Sequence, residues 1–177
     1  MRKLIWKHFV RAGLGAFLTL FALACAFDGE GNSFSDCKYD RPQPIFESDL
    51  PTVVEHQFDI RRMKGIEEVE FSGHPDLTII QSGCDHIRQE FQFELDSLPQ
   101  NTEAAFWIDL AQEQFHRLGN LSPDYLVFLS WAQEIKEKAY QIKLAESIEL
   151  QPGFYVRIDK IISRNSAILL VVLSENP

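Results

Sequence analysis

The chain reads as an α+β domain: about seven strands in the order ββββ-αα-βββ, forming one antiparallel meander sheet with a helical hairpin packed on one face. Three observations predict it. Residues 52–95 alternate apolar and polar side chains with a period of two. From about 102 to 146 the apolar residues recur every three or four positions, and after 147 the period returns to two. Strand runs segregated from a helix pair are the mark of α+β architecture.

The first strand is Thr52–Ile60. Val54, His56, Phe58 and Ile60 are expected on one face, opposite Val53, Glu55, Gln57 and Asp59. Arg61-Arg62-Met63-Lys64-Gly65 turns the chain into Glu67–Ser72, with Val69 and Phe71 inward, and Gly73-His74-Pro75-Asp76 is a second turn. Leu77–Ser82 and Ile87–Leu95 make a hairpin about Gly83-Cys84-Asp85, and Phe91 and Phe93 lie on the inner face of the fourth strand. Short loops make these four a meander.

Asn101 or Thr102 is positioned to cap a helix running to about Leu118. Its stripe is Phe106, Trp107, Leu110, Ala111, Phe115 and Leu118, and Gly119-Asn120 supplies the stop. Ser122-Pro123-Asp124 starts a second helix, expected to continue to about Glu146, with Phe128, Trp131, Ala132, Ile135, Ala139 and Ile142 buried. Ser147–Leu150, Phe154–Ile162 and Ala167–Ser174 are the last strands. AILLVVLS is apolar on both faces, as a central strand would be.

The first 26 residues read as an export signal. Arg2, Lys3, Lys7 and Arg11 form a basic start, and Ala12–Ala24 is an uncharged run too short to span a bilayer, which needs about 20 apolar residues. Ala22-Leu23-Ala24 and Ala24-Cys25-Ala26 both fit cleavage, after Ala24 or Ala26. Ala22-Leu23-Ala24-Cys25 also resembles a bacterial lipobox, with Ala22 and Leu23 in the reverse of the usual order. The resemblance implies a lipidated Cys25, and membrane contact only through that anchor. Residues 27–44, rich in Gly, Ser, Asp and Pro, read as a flexible lead-in or tether, and 45–177 as the domain.

Net charge is −9 for the whole chain. Removal of residues 1–24 takes four basic and no acidic residues, leaving −13. So acidic a domain is repelled by nucleic acid and by anionic membrane surfaces. Once Cys25 is lipidated or removed, Cys37 and Cys84 form an even pair, expected as a disulfide in an exported protein.

Catalytic, metal and cofactor motifs are not evident: there is no GxSxG, GxGxxG or phosphate loop, and the histidines lack metal spacing. No cofactor is therefore expected. Asp85 and His86, beside Cys84, are an acid–imidazole neighbour pair to watch, and Arg61 and Arg62 belong to the basic cluster of an acidic domain. His56, on an apolar face, reads as a core or edge histidine. The carboxylates Glu55, Asp59, Glu67, Glu68, Glu70, Glu90 and Glu94 read as a solvated sheet face, or as a surface for a cationic protein. The expected role is an exported bacterial cell-envelope binding or accessory module. The rival is a ligand carrier or enzyme using space between sheet and helices lined by Phe91, Phe93, Phe106, Trp107, Phe128 and Trp131.

Overall fold

The alternation predicts strands whose inner faces must be covered, and the helix pair and the lead-in share that task. The computed structural model describes residues 34–73, 75–95, 97 and 103–177. The residues read as an export signal, together with Cys25, His74, Asn101 and Thr102, lie outside the described residues.

Seven strands form one antiparallel sheet: β1 (Val53–Arg61), β2 (Lys64–Phe71), β3 (Asp76–Ser82), β4 (Arg88–Leu95), β5 (Ser147–Gln151), β6 (Phe154–Ile162) and β7 (Ala167–Ser174). Their spatial order is β1-β2-β3-β4-β7-β6-β5. Two meanders are thus joined by the pairing of β4 with β7, from Arg88↔Ser174 to Leu95↔Ala167. β7 is interior, as its apolar sequence requires. On its open face Leu170 and Val172 are still only 8% and 2% exposed, because longer side chains on both neighbouring strands flank them: Gln92 and Glu90 on β4, Asp159 and Arg157 on β6.

Helices α1 (Ala104–Gly119) and α2 (Leu126–Lys138) pack on the inner face. Phe91, Phe115, Phe128 and Trp131 interlock there, with ring centroids 5.2 Å apart for Phe91–Phe115 and 5.3 Å for Phe128–Trp131. Each fully buried ring contributes roughly 1.5–3 kcal/mol by area alone, and edge-to-face geometry adds to that. The rings expected to line a ligand space are packed against one another. Phe46, from the chain before β1, stacks on Phe128 at 5.8 Å and meets Phe71 edge-on at 5.3 Å. It covers the inner face on the β2 side.

Several expectations are corrected. Val54 does not share the inner face with His56. A bulge between Val53 and Glu55 shifts the register, so Val53 pairs with Phe71 and packs on the core, while Val54 is 62% exposed. The second helix ends at Lys138, not near Glu146, and its first turn is a 3-10 turn over Pro123–Tyr125 under the Ser122 cap. Beyond Lys138 the chain tightens through Gln141 N–H to Lys138 O and Ile142 N–H to Ala139 O. It then reverses at Ala145 (φ 64°), whose N–H reaches Ile158 O on β6. Ile142 is buried at this turn, so the apolar spacing outlasts the helix. Gly119 is not the stop of α1 but its last residue. A Cβ there would lie 2.6 Å from Leu129 Cγ, so glycine lets α2 approach closely. The stop is Asn120, whose side-chain amide donates to His116 O at 2.6 Å.

Among the described residues, no helix is long and apolar enough to cross a membrane.

Candidate functional site

Hairpin connections set which side chains share an end of the sheet, and alternation sets which share a face. The turns after β1 and β3 and the end of β7 lie at one end. All four sequence-predicted candidates are there. Arg61 pairs with Asp59 at 2.7 Å and is well exposed. That contact holds the Asp59 carboxyl below its ordinary value, helped by the Ile60 N–H. Arg62 and Met63 are the two central residues of the hairpin, with φ of 51° and 59°, the left-handed pair that a type I′ turn demands.

Asp85 and His86 sit in the β3–β4 turn, directly after the Cys37–Cys84 disulfide, whose Cα atoms are 4.6 Å apart. Gly83 makes this turn: φ is +116°, and a Cβ would fall 1.7 Å from His86 O. The disulfide fastens the lead-in, and Tyr39 N–H donates to Cys84 O at 3.2 Å. Tyr39 hydroxyl donates to Glu175, whose other carboxylate oxygen accepts from Ile87 N–H at 3.0 Å. The Tyr39 hydroxyl, then the Ile87 N–H, hold the Glu175 carboxyl below its ordinary value. Lys38 donates to Tyr39 at 2.9 Å. Asp85 and His86 thus border a charged seam that ties lead-in, turn and C-terminus together. Cys37 and Tyr39, expected in a loose tether, and Ile45 and Phe46, just past it, are fixed on the sheet by these bonds and by those of Glu67.

Glu67 is the residue sequence reasoning misplaced. It was grouped with Glu68 and Glu70 on the solvated face, but it shares parity with Val69 and Phe71 and is completely buried. Its carboxylate accepts from Ile45 N–H at 2.7 Å and Phe46 N–H at 2.8 Å. His56 Nε2 is 3.0 Å from Oε1. Parity alone could have found Glu67. Its partners could not be read from the sequence, because they belong to the irregular segment before β1. Beside this pair runs a groove of about 770 Å³ lined by His56, Tyr125, Glu47, Ser48, Asp49 and Asp124, among others. Tyr125 hydroxyl accepts from Glu47 N–H at 3.1 Å. Burial raises the Tyr125 pKa above its ordinary value.

The opposite end of the open sheet face carries a different arrangement. Glu55 on β1 pairs directly with Glu70 on β2, and Asp76 on β3 directly with Glu94 on β4. Glu70 and Asp76 stand one position beyond the last β2–β3 pair, Val69↔Leu77. Four exposed carboxylates therefore stand in line across four strands, at about 4.8 Å per strand. Glu68 lies in the adjoining row, and a shallow depression of about 190 Å³ runs between Glu55, Glu68, Glu70 and Asp76. The line continues past Glu94 into Ile168 on β7 and Ile161 on β6, the latter 50% exposed. Glu90 has Arg88 at 3.3 Å. Among the described residues, no Lys or Arg lies within ion-pair distance of the four carboxylates in the line. The sequence assigned Glu55, Glu70 and Glu94 to a face but Asp76 to a turn, and the line itself exists only through register.

Among the described residues, no group of three or more His, Cys, Asp and Glu is placed to hold a metal ion. Comparison with family models, with curated proteins and with solved structures returns no match for this chain.

Proposed function

We propose that this chain is an exported bacterial cell-envelope protein whose work is binding, and that the open sheet face receives a cationic protein. The observation that carries this reading is the line Glu55–Glu70–Asp76–Glu94. Like charges directly opposite on neighbouring strands destabilise a sheet. Solubility needs acidic residues on the face, but it does not need them opposed in pairs without counter-ions. A cationic partner supplies the missing charge and gains rapid, steered association from the net charge of the domain.

Export is supported by the Cys37–Cys84 bond, a linkage characteristic of oxidising compartments and rare in reducing ones. Anchoring rests on the lipobox-like Cys25. Intact mass of the protein recovered from cells tests both points. A diacylglycerol adduct on Cys25 establishes anchoring, cleavage after Ala24 or Ala26 with no adduct establishes release, and an uncut N-terminus rejects export. Binding is tested by capture from envelope extracts with the mature protein and its Glu70→Gln/Asp76→Asn variant. A basic protein retained in stoichiometric amount by the first and lost by the second supports the reading. Equal retention by both rejects the acidic face.

One observation favours a second reading, an enzyme or ligand carrier. His56 is oriented by a fully buried carboxylate and borders a groove large enough for a small molecule. A His56→Ala variant that folds normally and keeps full partner binding, but loses a measurable ligand or activity, would move the function there.

A further inference from the structure

We infer that β1 pairs with β1 of a second copy of this chain, edge to edge and antiparallel, in the register that sets Glu55 of each copy opposite Arg61 of the other. The surface is the edge of the sheet, and its use does not depend on the partner proposed above.

β1 and β5 are the two outer strands, and they differ. β5 is blunted. It has five residues, a bulge between Glu149 and Gln151, and Lys138 from α2 donating to Glu149 O at 2.9 Å and to Leu150 O. A short, bulged strand with a lysine on its carbonyls is a protected edge. β1 has nine residues. Arg61 and Lys64 flank its two-residue turn and so exchange both their backbone bonds. By alternation, His56, Phe58 and Ile60 turn their N–H and C=O groups away from β2. Among the described residues, β1 pairs with β2 alone, and no other backbone group meets these three. The Ile60 N–H is met by the neighbouring Asp59 carboxylate. The bonds of the lead-in go instead to Cys84, Gln81, Glu67 and Tyr125.

Open edge groups accept a strand, and charge selects the register. Outward-turned residues bond only to outward-turned residues. With Phe58 opposite Phe58 of the second copy, His56 meets Ile60, and between them Glu55 lies opposite Arg61 and Gln57 opposite Asp59. The smallest slide that keeps the bonding is two residues. In one direction it sets Glu55 opposite Asp59, in the other Asp59 opposite Asp59, and like charges directly opposite destabilise. Longer slides run into the Val53/Glu55 bulge or off the turn after Arg61. Among the described residues, Glu55 has no ion-pair partner in its own copy, and Arg61 of the second copy supplies one next to its existing Asp59. Like edge on like edge closes about a two-fold axis, giving a dimer and not a fibre. The contact is small, so the expected dissociation constant is about 1–100 μM.

Sedimentation equilibrium of the mature protein from about 1 to about 500 μM, at about 50 mM and about 300 mM salt, should show a monomer–dimer equilibrium that salt weakens. Glu55→Arg alone and Arg61→Glu alone should each weaken it about tenfold, because the two-fold axis makes each substitution act twice. The two single variants mixed together, or the double reversal Glu55→Arg/Arg61→Glu, should restore it, which misfolded variants could not do. Amide exchange should show His56 and Phe58 gaining protection as protein concentration rises, while Gln57 and Asp59 are protected throughout by β2. A monomer at every concentration overturns the inference. So does a dimer indifferent to the reversals, or one that leaves the His56 and Phe58 amides unprotected. Protection of those amides only on adding envelope extract assigns the edge to a foreign strand and likewise overturns the dimer.

Discussion

His56 Nε2 lies 3.0 Å from Oε1 of Glu67, a carboxylate with no solvent exposure. The same carboxylate holds the backbone N–H groups of Ile45 and Phe46. Glu67 is therefore the peg on which the segment before β1 hangs, and Phe46 enters the core because of it. Glu67→Ala strips the Ile45 and Phe46 N–H groups and His56 of their shared partner and is expected to cost about 3–5 kcal/mol. Glu67→Gln keeps one oxygen acceptor and should cost less, about 1–3 kcal/mol. Urea denaturation measures both. Amide exchange should show residues 45 and 46 losing protection first.

The disulfide fastens the same lead-in from its other side. Cys37 and Cys84 are 47 positions apart, and a loop of that length is worth about 4 kcal/mol on the chain-entropy model. Denaturation with and without reductant should differ by that order. Free thiols at both positions in native protein from cells would remove the structural support for export.

At the same end of the sheet, Glu175 gives a pH dependence with a defined sign. The Tyr39 hydroxyl and the Ile87 N–H favour its charged form, so its folded pKa is below its ordinary 4.5. A depressed carboxyl contributes stability above the unfolded value and loses it as pH falls through the folded one. Carbon-detected NMR titration should place Glu175 below 4.5 in the native protein. Tyr39→Phe should move it back toward that value. No change in Tyr39→Phe would show that the hydroxyl is not the cause.

Arg62 and Met63 place two non-glycine residues in left-handed conformations at the β1–β2 turn. Each such residue costs roughly 1–2 kcal/mol. Arg62→Asn with Met63→Gly supplies the residues a type I′ turn prefers and should raise stability by about 1 kcal/mol, less any entropy lost through the new glycine. Thermal denaturation reads the shift. A fall in midpoint would mean the wild-type side chains make compensating contacts.

How far the sequence carries such a reading differs from residue to residue. Phe91, Phe93 and the stripe of Trp107, Phe115 and Leu118 were legible because period and burial agree there. Cys37–Cys84 was legible from cysteine parity and the expectation of export. Val53 and Val54 were not distinguishable: both are valine, and only the bulge decides which one turns inward. The end of α2 was hidden because Ala139 and Ile142 keep helical spacing after the helix has stopped. Glu67 had the right parity for burial, but charge outweighed parity while its partners in the irregular segment were unknown. The pairing of β4 with β7 and the carboxylate line are matters of register, which is specified by contacts between strands far apart in sequence.

Under the proposed function, neutralising the carboxylate line should move stability and binding in opposite directions. In Glu55→Gln/Asp76→Asn one member of each opposed pair loses its charge, and each relieved pair should return about 0.2–1 kcal/mol. Measured side by side with wild type, the denaturation midpoint of this variant should rise while retention of a basic envelope protein falls. An unchanged or lower midpoint together with undiminished retention would contradict a face arranged for a cationic partner.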